Sequence, residues 1–183
     1  TLLIFDEIQS GFGRTGKLFV FQEYGVEPDI LCTAKAMGGG MPLGGFISST
    51  EIFQSFKYDP PLNHVTTFGG HPVSCAAAHA SIKELLEGDY LDRAKEIESY
   101  LKEHLNGEGV VEVRGKGAML GLEVLNKDLA QKLVEYCFDE KVLLGWTLHS
   151  DTLIRLAPPL IITNEELEHV VLTIKEGLRR ALT

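Results

Sequence analysis

The 183-residue chain has no apolar run that approaches the ~20 residues a membrane-spanning helix needs, and no charged-then-apolar leader of the secretory kind. A membrane partner is not expected. Cysteine is scarce: Cys32, Cys75 and Cys137 are odd in number, far apart and set among apolar neighbours, which excludes a disulfide framework and predicts buried thiols in a reducing, cytoplasmic setting. Basic charge is also short, 17 Lys+Arg against 26 Asp+Glu for a net charge of −9, which argues against nucleic acid or an anionic membrane surface as the main partner. Local sites for a small anion remain open. The six histidines show no ligand spacing, so no metal site is expected, and there is neither an internal repeat nor a low-complexity segment. What is present is 44% apolar and 23% charged residues, enough for a sizeable core in one domain or two small ones. The chain opens directly on the apolar run Thr1-Leu2-Leu3-Ile4-Phe5, which reads as a core strand needing neighbours on both faces, so the expectation is the C-terminal part of a longer protein.

One stretch organises the rest. Asp29-Ile30-Leu31-Cys32-Thr33-Ala34-Lys35 is a short apolar run bounded by Pro28 and by Gly38-Gly39-Gly40, the pattern of a buried strand. A buried strand has no use for an ammonium except at its open end. Lys35 is then either a strand-end lysine that snorkels to solvent or a nucleophilic amine of the Schiff-base kind.

Before it, residues 1–5 end in Asp6-Glu7 and lead to Gly11-Phe12-Gly13-Arg14-Thr15-Gly16-Lys17. This loop fits a dinucleotide fingerprint and, up to Leu18, a phosphate loop. Context opposes both: Asp6 to Ser10 separate strand from loop, and Leu18-Phe19-Val20-Phe21 reads as β-like rather than as the start of a helix that would face a phosphate. Arg14 is expected to brace its own loop.

After it, Phe46-Ile47-Ser48-Ser49 reads as another strand and residues 50–63 as a surface excursion with Pro60-Pro61 rigid. His64 to Pro72 supplies two hydroxyls and two glycines before a helix that starts at Pro72 and stops at Gly88. Its Ala76, Ala77, Ala78 and Ala80 suit close packing. From residue 88 the texture changes to charged amphipathic helices and short strands. The helices carry Leu91, Ala94, Ile97, Leu101 and Leu105, then Leu129, Leu133, Tyr136 and Cys137, and last Leu167, Val170, Val171, Ile174 and Leu178 behind the capping box Thr163 to Glu166. Strands are expected within 110–124 around Gly115-Lys116-Gly117 and at Thr152 to Ala157. This order describes a small α+β domain. The expected division is 1–87 and 88–183.

An acid at one strand end (Asp6), a lysine at another (Lys35) and a hydroxyl-glycine helix entry (Thr66 to Pro72) gather where α/β sheets bind ligands. A lysine, a carboxylate and an anion cradle together suit pyridoxal 5'-phosphate: the amine holds the aldehyde, the carboxylate keeps the pyridine nitrogen protonated, and hydroxyl and amide donors hold the phosphate.

Asp6-Glu7-Ile8-Gln9-Ser10-Gly11-Phe12-Gly13-Arg14-Thr15-Gly16, then Pro28-Asp29-Ile30 through Lys35-Ala36-Met37-Gly38-Gly39-Gly40-Met41-Pro42-Leu43-Gly44, then Thr67-Phe68-Gly69-Gly70-His71-Pro72 resemble, in order, motifs of the class-III pyridoxal-phosphate-dependent aminotransferases. Acetylornithine, ornithine, lysine and 4-aminobutyrate aminotransferases belong to that family. Arg114-Gly115-Lys116-Gly117 and Leu153-Ile154-Arg155-Leu156-Ala157-Pro158-Pro159 extend the resemblance over essentially the whole chain.

The resemblance implies an α/β fold type I transferase, with the end of the large-domain mixed sheet in 1–87 and the small α+β C-terminal domain in 88–183. It implies that Lys35 bonds the cofactor and moves the proton between substrate Cα and cofactor C4′. Asp6 pairs with the pyridine nitrogen, Ile8 packs on the ring, and Gln9 reaches the phenolic oxygen. Thr67 binds phosphate across a homodimer interface, and Arg155 clamps the substrate carboxylate. The reaction implied is amino transfer from an amino acid donor to 2-oxoglutarate by a ping-pong cycle, with an aminomutase of the same fold as a near alternative. Residues alone also admit Thr67 as a cap on the helix at Pro72 and Arg155 as a solvated strand arginine. His71 stands where many relatives have Asn. The family's main phosphate cup and ring-stacking aromatic precede the motif at Asp6, so by this resemblance the site is incomplete here and a non-catalytic fragment is a further alternative.

Overall fold

A computed structural model describes residues 1–58, 60–61, 63–146 and 149–183. The chain divides into two compact units, one of residues 1–13 and 17–91, the other of residues 14–16 and 92–183.

In the first unit, β1 (Ile4–Asp6), β2 (Ile30–Thr33) and β3 (Gly45–Ser48) form a three-stranded sheet in that order. β1 and β2 run parallel, with Asp6 opposite Cys32, and β3 returns antiparallel to β2. Parallel β1 and β2 therefore end at the same sheet edge. The β-like reading of Leu18 to Phe21 does not hold. These residues pass through a turn into a single helical turn, α1 (Phe21–Tyr24), because their backbone donors are taken by side chains rather than by a neighbouring strand. Val20 and Phe21 N–H each donate to the Glu7 carboxylate at 2.8 Å, and Phe19 N–H donates to Gln22 Oε1 at 3.1 Å.

The surface excursion after β3 contains α2 (Thr50–Phe53), capped by Ser49, whose hydroxyl accepts from Ile52 N–H. Asp59 and Leu62 of that stretch lie outside the described residues. α3 (Pro72–Glu87) starts with proline in its first turn, where the missing donor costs nothing, and ends at Gly88. Its small residues act at one point. A Cβ on Gly39 would stand 2.7 Å from the Ala77 carbonyl oxygen and 2.8 Å from Ser81 Cβ, so α3 rests against the loop after Lys35 at a distance only glycine permits. Ala78 is buried there, whereas Ala76 and Ala80 face outward.

In the second unit, α4 (Tyr90–His104), whose first turn still counts with the first unit, leads to β4 (Val110–Lys116) and β5 (Met119–Val124). Then follow α5 (Lys127–Asp139), β6 (Gly145–Trp146), β7 (Leu153–Leu156) and α6 (Asn164–Leu182). The sheet is antiparallel in the order β4-β5-β7-β6. The two-residue β6 has no alternation for a sequence reading to detect. Leu120, Leu122 and Val124 of β5 with Ile154 and Leu156 of β7 bury one sheet face against Ile97 and Leu101 of α4, Leu129 and Leu133 of α5, and Leu167, Val171, Ile174 and Leu178 of α6. Gly177 lets α6 close on α5, since a Cβ there would meet Leu133 Cδ1 at 2.7 Å. The capping box forms as the sequence predicts, with Thr163 Oγ1 accepting from Glu166 N–H and Glu166 Oε2 accepting from Thr163 N–H.

Two expectations are corrected here. Only Cys137 is a buried thiol, its pKa pushed up to about 12 by burial; Cys32 is half-buried and Cys75 is exposed on α3. Arg14 does not brace its own loop. It donates to the backbone carbonyls of Ala118 and Pro158, which is why residues 14–16 group with the second unit, and burial pulls its pKa below the usual arginine range.

Candidate active site

Asp6 ends β1, exposed, and one carboxylate oxygen accepts from Ile8 N–H at 3.0 Å. That bond turns the chain out of the strand. Its other oxygen has no partner among the described residues. Ile8 and Gln9 follow in the turn, both half-buried.

The turn is held from beneath by Glu7, which is 1% exposed. Its carboxylate accepts from Ser10 Oγ at 2.9 Å as well as from Val20 and Phe21 N–H, and its own N–H donates to the Cys32 carbonyl at 3.0 Å. Gly11 completes the turn, because a Cβ there would come within 2.8 Å of the Glu7 carbonyl oxygen. Sequence reasoning passed over Glu7. The available signal was an acid buried between two apolar stretches with Ser10 three positions on, a spacing at which a turn folds hydroxyl onto carboxylate.

Lys35 follows β2 by two residues and opens a single 3-10 turn, Lys35–Gly38. Since Cys32 lies opposite Asp6 in parallel register, Asp6 and Lys35 stand at the same end of adjacent strands. Lys35 is exposed and has φ = 49°, in the left-handed region that non-glycine residues occupy only at a cost of ~1–3 kcal/mol. A backbone held there points to a constraint on where the amine projects. Thr33, two residues before, is buried and donates to the Gly45 carbonyl at 3.4 Å across to β3, which anchors the strand end.

Thr67 lies in the turn before α3, exposed between Val65 and Phe68, which are 65% and 78% exposed. It does not cap α3. The N-cap position is His71, and no side chain caps that helix. The first unit thus offers a primary amine and an open carboxylate at one sheet edge and, in the turn before α3, an uncommitted hydroxyl, donor types that fit the aldehyde, ring nitrogen and phosphate of pyridoxal phosphate.

In the second unit Arg155 is central in β7, exposed on the sheet face opposite the core. The other five arginines each have a partner: Arg14 the carbonyls of Ala118 and Pro158, Arg93 Glu96 and the Ile162 carbonyl, Arg114 Glu112 and Glu123, and Arg179 and Arg180 both Glu176. Among the described residues Arg155 has none.

The family model for aminotransferase class-III matches residues 1–178. The chain belongs to the class-III aminotransferase family. Among curated class-III relatives, an acetylornithine aminotransferase from Methanosarcina mazei is 45% identical over 180 residues, covering 97% of this chain and 43% of the relative. A putrescine aminotransferase from Pectobacterium atrosepticum is 38% identical over 186 residues, covering 98% of this chain and 40% of the relative. The chain therefore spans less than half the length of these aminotransferases. A Bacillus anthracis aminotransferase structure superposes with a TM-score of 0.89 at 33% identity, covering 98% of this chain and 45% of that one. An ornithine aminotransferase from Toxoplasma gondii, described with partial occupancy of PLP at its active site, gives 0.88 at 29% identity, covering 100% and 43%. The mixed α/β architecture is accordingly that of the class-III aminotransferases, part of fold type I.

Proposed function

We propose that the protein functions as a pyridoxal-phosphate-dependent aminotransferase that moves an amino group from an amino acid donor to 2-oxoglutarate by a ping-pong cycle. The observation that carries this reading is Lys35, a lysine held at left-handed φ just past the end of β2, at the same sheet edge as the exposed carboxylate of Asp6 on the parallel neighbouring strand. Bound pyridoxal phosphate would supply the electron sink that acidifies the substrate Cα proton. Lys35 would bond the cofactor's aldehyde carbon and, once displaced by substrate, carry that proton between Cα and C4′ as general base and acid. Asp6 would hold the proton on the pyridine nitrogen, its charge favouring the protonated ring. Ile8 would pack on the ring and Gln9 would donate to the phenolic oxygen.

Thr67 would bind phosphate in the active site of a second copy, within a homodimer. Its hydroxyl is free of helix capping, and the exposed Val65 and Phe68 beside it are apolar surface of the kind an interface covers. Arg155 would receive a substrate carboxylate, being the arginine whose planar fork is uncommitted. Acetylornithine, ornithine, lysine and 4-aminobutyrate each carry such a carboxylate, as does 2-oxoglutarate.

The test is borohydride reduction of the cofactor-loaded enzyme followed by peptide mass analysis. The reading expects the cofactor mass on the peptide containing Lys35 and its loss in Lys35→Ala. Equal fixation of cofactor in Lys35→Ala would assign the role to another amine.

A further inference from the structure

Arg155 sits in a row of four residues that crosses the second unit's sheet. Arg114 of β4 lies opposite Gly121 of β5, Gly121 opposite Arg155 of β7, and Arg155 opposite Gly145 of β6. Directly opposed residues in an antiparallel sheet project to the same face with Cβ atoms ~5 Å apart. The arginine is thus flanked on both sides by residues that present no side chain. The two glycines do different things. A Cβ on Gly121 would strike Leu153 Cδ1 at 2.7 Å. A Cβ on Gly145 would stand 3.0 Å from Arg155 Nε and 3.2 Å from Nη2, so the guanidinium lies over the bare face of Gly145.

Nothing in the backbone asks for glycine at 145. Its φ is outside the left-handed region, unlike those of Gly107, Gly115 and Gly117. What a side chain there would meet is the guanidinium, the far end of a flexible arm that can swing aside at little cost to folding. Displacement would, however, rotate the fork. A bidentate pairing of guanidinium with carboxylate depends on the plane and direction of that fork. Arg114, in the same row, shows the alternative state: it is drawn onto Glu112 at 3.1 Å and Glu123 at 2.7 Å and is unavailable to a ligand. Arg155 is exposed on this face, so the space beside the fork is accessible.

We infer that Gly145 is a positioning residue for substrate carboxylates: by lacking a side chain it sets the plane in which Arg155 presents its two donors. This rests on the reading of Arg155 as the carboxylate-binding arginine. The probe is glutarate, a dicarboxylate with no amino or oxo group to react, titrated calorimetrically into the cofactor-loaded enzyme. Gly145→Ala is expected to weaken glutarate binding about tenfold and to raise the KM for 2-oxoglutarate in parallel, with kcat within about twofold, as loss of one charge-assisted hydrogen bond would do. The thermal midpoint stays unchanged. In an Arg155→Lys background the same Gly145→Ala change has no further effect, because an ammonium has no plane to rotate.

Parent-like glutarate binding in both Gly145→Ala and Gly145→Val, alongside weakened binding in Arg155→Ala, overturns the role of Gly145 and leaves that of Arg155 standing. Parent-like binding in Arg155→Ala removes the carboxylate reading of Arg155, and this inference with it.

Discussion

The two units handle their apolar residues in opposite ways. The second encloses a continuous core, with Ile97, Leu122, Leu133, Ile154 and Ile174 fully buried between one sheet and three helices of its own sequence. In the first, Leu31 and Ala78 are the buried apolar residues among those described, while Ile4, Phe46 and Ile47 of the sheet are 57%, 40% and 59% exposed. Yet the first unit carries the amine and the open carboxylate. Its order comes from polar fastening instead, with the buried Glu7 carboxylate and the glycine contacts at Gly11 and Gly39. A unit with its own core behaves as a stable platform. A unit held by a few directed bonds has its strand ends open to a ligand but depends on each of those bonds.

The largest effect that would sharpen this contrast is a matched pair of truncations in the 183-residue chain, read by denaturant unfolding. Leu133→Ala, in the closed core, is expected to cost about 2–5 kcal/mol, whereas Ile47→Ala, on an exposed sheet face, is expected to cost under about 1 kcal/mol. Equal costs would break the comparison, by showing that the first unit's sheet is covered in solution. Next in size is Glu7→Ala. It strips a buried acceptor from Ser10, Val20 and Phe21 and is expected to destabilise the first unit by about 3 kcal/mol, with hydrogen exchange at the amides of residues 20 and 21 rising first. An unchanged exchange pattern would mean the turn is not held by this carboxylate.

The smallest effect is at the end of α6. Two bonds from Arg179 and one from Arg180, each 2.7 Å, hold the Glu176 carboxyl down to about 2. Because the folded value lies below the unfolded one, this contribution is complete above the ordinary carboxylate range and is lost as pH falls towards 2. A carboxyl carbon NMR titration of Glu176 should show a midpoint near 2, and a midpoint in the ordinary range would remove the arginine fork from the account. The site is exposed, so salt should weaken it.

Helices that announce themselves by period and caps are legible in the chain as written. Pro72 and Gly88 bracket α3, the Thr163 to Glu166 box opens α6, and the three- and four-residue spacing through Leu105 marks α4. Asp6, Ile8, Gln9, Lys35, Thr67 and Arg155 were legible as candidates because order and spacing along the chain carry motif information. Leu18 to Phe21 misled, since aromatic composition suggests a strand while the donors of Val20 and Phe21 are claimed by Glu7, thirteen and fourteen positions away. Arg14 misled for the same reason, its partners being 104 and 144 positions distant.

The sequence by itself determined the class-III motifs, the amphipathic helices and their ends, and which residue types meet at the strand ends, because these depend on neighbours within a few positions. Only the tertiary structure decided that Lys35 sits at left-handed φ at the same sheet edge as Asp6, that Glu7 is the buried fastener of the turn, and that Arg155 lies between Gly121 and Gly145. Those facts depend on strand register and long-range hydrogen bonds, which pair residues without regard to their separation along the chain.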